Sequence, residues 1–240
     1  MLEAAALSDE KFPEWAKNYV LFCHITSKVE GQKNDDLLGK KGGNAFPFVV
    51  FMDPDGNVIV KGVERSIAGF EKAGTKAKGI VDRVADLKKK ADGGDKAAKI
   101  DYALAMMEYA TGSTTLDEAK KKIAELGELS KEQKAKSDLI LFEVETIATM
   151  KTVKQNDKPT RMDAGKHFLE MKKAGRIPQS AETVQPFFIL MMDYADDQAD
   201  GALYEEALKA LEKFRADPNT KRFFDARDKR LAELKASKDK

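Results

Sequence analysis

The segment that most constrains this fold runs from Asn44 to Gly62 and reads NAFPFVVFMDPDGNVIVKG. A continuous apolar run and a short returning run, VIV, flank a turn made of Asp, Pro, Gly and Asn. Because Pro fixes φ and Gly accepts a positive φ, this composition favours a tight reversal of the chain. A continuously apolar strand is typical of a sheet that is covered on both faces. The segment therefore predicts a β-hairpin with a buried first strand and with Pro47 at its head.

The residues around this hairpin alternate in type over about the first seventy positions. Residues 2–19 have a helical composition, and VLFCHITS at 20–27 is an apolar run rich in β-formers. A short helical piece around NDDLLGKK precedes the hairpin, and a helix begins at Ser66 behind it. This order predicts an α/β domain over residues 1–74.

From about Asp95 onward strand signals end and helical periodicity takes over. Apolar residues recur at steps of three and four positions, as in Ile100, Leu104 and Met107. We therefore predict an all-α region over residues 95–240, joined to the front domain by a connecting helix at 75–94.

Local signals inside this region mark where helices begin and where they cross. TLDE from Thr115 and SKEQ from Ser130 are capping boxes, in which a hydroxyl and an acid or amide satisfy backbone N–H groups reciprocally. The triplets DEA, MDA and EEA recur at 117–119, 162–164 and 205–207. Small alanines at equivalent places predict close helix crossings that repeat along a stack.

Composition excludes several functional classes. The 240 residues carry 42 basic and 41 acidic side chains, a net charge of +1, so no basic surface for nucleic acid is expected. No apolar run approaches the roughly 18 residues of a membrane helix, so we expect no membrane partner. No targeting signal is visible, and periplasm and cytoplasm both stay open as compartments.

The one cysteine and the two histidines of the chain offer little catalytic chemistry. One cysteine, Cys23, excludes an internal disulfide and a cysteine-based zinc site. It lies within the predicted strand beside His24, whose side chain would face the opposite side, so we interpret Cys23 as a small buried hydrophobe and only a weak redox candidate. His167 lies between Ala164 and Phe168 and is interpreted as an inward packing residue. We therefore predict no catalytic residue, no metal and no cofactor.

Two acidic segments require separate interpretations. The stretch from Asp53 to Glu64 carries oxygen side chains at EF-hand spacing, but Val58 replaces the glycine and strands replace the helices, so a hairpin is favoured over a calcium loop. A second acidic run is interpreted as a solvated helix end and loop; it comprises Asp193, Asp196, Asp197 and Asp200.

The front of the chain resembles the thioredoxin superfamily. NAFPFVVFMDPDGNVI at 44–59 is similar to the element in which a cis proline precedes the strand of an antiparallel hairpin, and LSDEKFPEWAKNYVLFCHITS is similar to the helix and strand behind the redox motif. The resemblance covers about residues 1–73. It implies a thioredoxin-like domain with thiol–disulfide exchange as its function, a cis bond before Pro47, and Phe46 and Pro47 as the wall that binds a peptide substrate.

The sequence lacks the catalytic motif of the thioredoxin superfamily. The family's Cys-x-x-Cys would lie just before LEAAAL, where the chain starts, so this sequence is expected to be redox-inactive as written, and whether it acts as an enzyme stays open. The absent part would include a central strand, which leaves two apolar strands either paired directly or with unpaired edges. Three explanations stay open: a truncated chain, a degenerate member that only binds, or a homo-oligomer in which another copy supplies the strand by exchange.

The back of the chain resembles tetratricopeptide repeats (TPRs). DGALYEEALKALEKFRADPN at 200–219 is similar to the second helix of a repeat with its closing Asp-Pro-Asn, and ETVQPFFILMMDYADDQ is similar to the first helix apart from Pro186. We expect a TPR-like stack of about three helix pairs with a terminal helix at 220–236, an irregular helical bundle being the alternative. Such a stack implies a protein or peptide partner, so the alternative function is a non-catalytic scaffold. The predicted fold class is thus an incomplete thioredoxin-like α/β domain followed by an all-α TPR-like domain.

Overall fold

A computed structural model of the protein describes residues 6–24, 33–43, 46–154, 156–217 and 220–238. The chain divides into two compact units, Met1–Ser137 and Asp138–Lys240. This division falls about forty residues beyond the boundary that the sequence predicts, because the helices that follow the hairpin belong to the first unit.

The first unit combines short helices, one hairpin and longer helices. Its elements in chain order are α1 Phe12–Ala16, α2 Leu37–Lys40, β1 Phe51–Met52, β2 Val58–Val60, α3 Ile67–Asp92, α4 Lys96–Ala110, α5 Leu116–Ala124 and the start of α6, Lys131–Thr152. The second unit holds the rest of α6, then α7 Lys158–Lys173, α8 Ala181–Asp197, α9 Gly201–Ala210 and α10 Lys221–Lys238. Short 3-10 helices lie at Ala6–Ser8 and Glu212–Phe214.

The predicted hairpin is present, but the prediction of a buried first strand is wrong, since β1 spans only Phe51–Met52 and Met52 is 36% exposed. Strands β1 and β2 pair antiparallel with Phe51 opposite Val60. In the turn the Asp53 carboxylate accepts a hydrogen bond of 2.8 Å from the backbone N–H of Asn57, and Gly56 adopts a φ of +82°. An Asx contact and a left-handed glycine are what this turn composition predicts. The hairpin interpretation of the Asp53 stretch is therefore confirmed.

Helix α3 closes one side of the hairpin. Ser66 caps its N-terminus, since the Ser66 Oγ accepts a hydrogen bond of 3.0 Å from Gly69 N–H, as the sequence predicts. Ala73 and Ala77 of α3 are buried with Val60 of β2. Aromatic rings extend this core toward α1, and the cluster comprises Phe12, Trp15, Tyr19, Phe51 and Phe70. The hairpin thus packs against α3, and the aromatic cluster continues the same core toward α1.

The described part of the strand predicted at 20–27, which is residues 20–24, is not a strand. Residues 20–24 form neither helix nor strand, and 25–27 lie outside the described residues. Val20 is 97% exposed, Leu21 60% and Phe22 65%. A strand needs a neighbour to satisfy its backbone, and among the described residues the only sheet is the two-stranded pair β1–β2. The thioredoxin-like domain accordingly stays a prediction.

The second unit is all-α, which confirms a helical C-terminal region. Its core is built around α8, where Phe187, Met191 and Met192 have no exposed surface, against Phe168 of α7 and Tyr204 of α9. The three alanines of the repeated triplets are all buried, Ala119 at 0%, Ala164 at 2% and Ala207 at 0% exposure. Small residues therefore occupy buried helix positions at these three places, of which Ala119 lies in the first unit, and the stack of repeated helix crossings stays a prediction.

Both predicted capping boxes are present. Thr115 Oγ1 accepts from Glu118 N–H at 3.3 Å while Glu118 accepts from Thr115 N–H at 2.9 Å. Gln133 and Ser130 make the same reciprocal pair at 3.1 and 3.2 Å.

Among the described residues, none of the helices combines the length and apolar character that crossing a bilayer would require.

Candidate functional site

The segment that leads into β1 carries an exposed aromatic side chain. Phe46 is 62% exposed and Pro47 is exposed beside it, and the peptide bond between them is cis, as the resemblance implies. Within the described part of the chain, the backbone of residues 46–50 makes no hydrogen bond to other backbone groups. Among the described residues these backbone groups have no backbone partner, and the exposed Phe46 ring lies beside them.

Packing beneath this segment fixes its position. Phe48 is half-buried, and its ring lies so close to Gly43 that a Cβ there would be 2.8 Å from the Phe48 Cδ1. On the far side of the hairpin Lys41 Nζ donates a hydrogen bond of 2.7 Å to the Gly56 carbonyl, tying the turn to the end of α2. Phe46 thus extends from a segment whose next residues are anchored. This arrangement can bind an extended polypeptide through backbone hydrogen bonds and an apolar contact.

The prediction that Cys23 is buried in a strand is wrong. Cys23 is exposed, and its segment is not a strand. The adjacent His24 is half-buried, and its Nε2 has no hydrogen-bond partner in the described part of the chain. No hydrogen bond joins the Cys23 thiol to the His24 imidazole in the described part of the chain.

The prediction that His167 packs inward is also wrong. Its side chain is 43% exposed, and its Nε2 lies 3.3 Å from Glu145 Oε1. The same carboxylate accepts a hydrogen bond of 2.6 Å from Arg176 Nη2. Ala164 and Phe168 define the buried face of α7, and His167 lies at the edge of that face, where a side chain reaches α6 instead of the core.

The acidic run at the end of α8 is not simply solvated, which corrects the sequence interpretation. The Asp193 side chain is only 14% exposed and pairs with Arg161 of α7 and, at 3.2 Å, with Arg227 of α10. Asp196 accepts a hydrogen bond of 2.8 Å from Arg230 Nε of α10. Nothing in the acidic run by itself indicates these partners, which come from helices 30 or more residues away in sequence.

These ion pairs line a pocket of about 520 Å³ in the second unit. Its mouth includes Lys158, which lies 2.5 Å from Asp197. The hydrogen bond from the Lys158 ammonium lowers the pKa of the Asp197 carboxyl, and the same contact raises the pKa of Lys158. Every charged side chain that lines the pocket pairs with an opposite charge. The pocket therefore offers no uncompensated charge to an ion, and its ion pairs link α7, α8 and α10.

Metal binding finds no support in the described part of the chain. No three His, Cys, Asp or Glu side chains converge there in a way that could hold a metal ion. The EF-hand spacing in the hairpin turn is used for the Asp53–Asn57 contact instead.

Comparisons of this chain with protein-family models, with curated proteins and with solved structures gave no match. Its functional assignment therefore rests on its own residues and contacts.

Proposed function

We propose that this protein binds an extended polypeptide at the segment carrying Phe46 and Pro47, as a thioredoxin-like binding protein without dithiol chemistry. The observation that carries this proposal is the combination of a 62% exposed Phe46 ring with unpaired backbone groups over residues 46–50 of the described chain. Exposed backbone groups at the start of a strand are a template for an added strand.

Two physical features support a binding site here. Large aromatic side chains dominate the binding energy of interfaces when a partner covers them, and Phe46 is the aromatic side chain available at this segment. Anchoring of Phe48 and of the hairpin turn means that little chain entropy is lost when a partner docks.

The sequence of this chain predicts no dithiol exchange. Dithiol exchange requires a second thiol to resolve the mixed disulfide, and the chain has one cysteine, Cys23. We expect no reduction of insulin disulfides above the rate of the reductant alone.

The experiment measures binding of the full chain to a fluorescently labelled, reduced and carboxymethylated insulin B chain, an unfolded polypeptide, by fluorescence anisotropy. We expect Phe46→Lys to weaken binding at least about tenfold, since interface aromatic anchors contribute on that scale. Leu139→Lys is the matched control, because Leu139 is another exposed large apolar residue, 43% exposed, on α6. Equal affinity of wild type and Phe46→Lys, or no binding by wild type, would overturn the proposal.

A second function, the binding of a partner by the helical unit, is favoured by the pocket at the end of α8. Its lining charges pair with one another, so a charged pair of a protein partner would bind there by exchanging partners with these ion pairs, and not at a free charge. Asp197→Lys reverses the charge at the pocket mouth and should abolish capture of such a partner, while the unfolding transition of the chain is retained. Capture that Asp197→Lys leaves unchanged would exclude the pocket as its site.

A further inference from the structure

The segment from Val20 to Cys23 is the most exposed apolar part of the described chain. Val20 is 97% exposed, Leu21 60% and Phe22 65%, and Cys23 is exposed as well. Three consecutive large apolar side chains are thus exposed together. Contiguous exposed apolar surface of a few hundred Å² marks an interaction site in soluble proteins.

The backbone of this segment has no backbone partner among the described residues. Residues 20–24 make no backbone hydrogen bond to another described residue. The sequence around them, NYVLFCHITS at 18–27, has no Lys, Arg, Asp or Glu, in a chain that is 35% charged. Exposed strand edges are normally protected by charges or prolines, and the segment at 18–27 has neither. Its composition indicates a segment that another strand covers.

We infer that residues 20–24 pair antiparallel with the same residues of a second copy of this chain, across a twofold axis. Antiparallel pairing of one segment with itself is isologous, so the contact closes at two copies and each copy contributes the same residues. Because the run at 18–27 carries no formal charge, the pairing brings no like charges together. The pairing also gives hydrogen-bond partners to backbone groups that have none within the described chain.

The area available decides how stable this dimer is. Complete cover of the exposed parts of Val20, Leu21 and Phe22 would remove at most roughly 450 Å² from each copy, or roughly 900 Å² in all. Stable specific interfaces bury about 1,200–2,000 Å² in total, so the dimer is a weak one. The dimer therefore forms only at high protein concentration, and the chain is a monomer at low micromolar concentration. This inference is independent of the proposed peptide site at Phe46.

Sedimentation equilibrium of the full chain from about 5 to 500 µM tests this inference. Wild type is expected to follow a monomer–dimer equilibrium. Phe22→Lys places a lysine at the centre of the pairing, opposite the same lysine of the second copy. We expect the repulsion between the two charges to raise the dissociation constant at least about tenfold. Because Phe22 is exposed, this substitution leaves the monomer fold intact, which far-ultraviolet circular dichroism checks. Ile177→Lys, at a position 43% exposed in the second unit, is the matched control and should dimerise as wild type does.

Three results would overturn the inference. These are a monomer at every concentration, a dimer that Phe22→Lys leaves unchanged, and open-ended association in place of a closed dimer. Loss of peptide binding in Phe46→Lys without a change in sedimentation would separate the two sites.

Discussion

Gly165 of α7 faces the backbone carbonyl oxygen of Leu190 on α8 with no room for a side chain between them. A Cβ at this position would also lie 2.7 Å from the Cβ of Tyr194. Gly165 and Leu190 are both buried, so this contact sets how closely the two central helices of the second unit approach. The obstruction is backbone, which cannot turn aside as a flexible side chain can.

Gly165→Ala should therefore destabilise the second unit. Alanine gains about 1 kcal/mol in helix propensity over glycine. Overpacking against a backbone costs about 1–3 kcal/mol, which is the larger effect at this position. We expect a net loss of up to about 2 kcal/mol in the free energy of unfolding, measured by amide hydrogen exchange of α7 and α8. Gly79→Ala in α3 is the matched control, since a Cβ there meets nothing within 4 Å and should stabilise its helix. Greater stability of Gly165→Ala than wild type would contradict this helix crossing.

Asp193→Asn should also destabilise the second unit. The substitution keeps the size of the side chain but leaves Arg161 and Arg227 without the carboxylate between them. Since Asp193 is only 14% exposed, loss of a charge-assisted contact should cost about 1–3 kcal/mol in urea unfolding. Asp82→Asn, which removes an exposed pair with Lys78, should change stability by less than about 0.5 kcal/mol. Equal effects of the two substitutions would show that the network does not stabilise the fold.

Glu118 should make stability depend on pH in the acid range. Hydrogen bonds from Thr115 lower the pKa of this carboxyl below its ordinary value of 4.5. A lowered pKa in the folded state means that the stabilisation is present above pH 4.5 and is lost as the pH falls through the folded-state pKa. Glu118→Gln, which keeps an acceptor but does not titrate, should lower the urea midpoint at pH 7 and leave it unchanged near pH 2.

The single tryptophan, Trp15, reports this unfolding because it lies in the same unit as α5. Glu125→Gln is the control, an exposed carboxyl that follows the same helix. If Glu118→Gln and Glu125→Gln shift the midpoint equally at pH 7, the capping box does not account for the effect.

Cys23 should react with thiol reagents in the folded protein. At about 1 µM, where the proposed dimer is dissociated, we expect a disulfide reagent to modify one thiol per chain at a rate within about tenfold of that in denaturant. An exposed thiol needs no unfolding step before it reacts. Modification that is limited by the rate of unfolding would show that Cys23 lies in a covered strand.

The sequence predicted the features that depend on neighbours within a few positions. The turn at Asp53–Asn57, the cap at Ser66 and the capping boxes at Thr115 and Ser130 are all present, because each is formed by side chains acting on backbone two to four residues away. Helical periodicity likewise identified the all-α region, since it records which face of each helix is apolar.

Tertiary structure alone decided which partner each polar or apolar face meets. His167 is exposed against Glu145, and Asp193 is enclosed by Arg161 and Arg227, because helices distant in sequence bring those groups together. VLFC at 20–23 has the composition of a buried strand, yet it is exposed, because no described strand lies beside it. Local chemistry fixes where an element begins, ends and turns. Burial and pairing depend on long-range packing that a single sequence records only weakly.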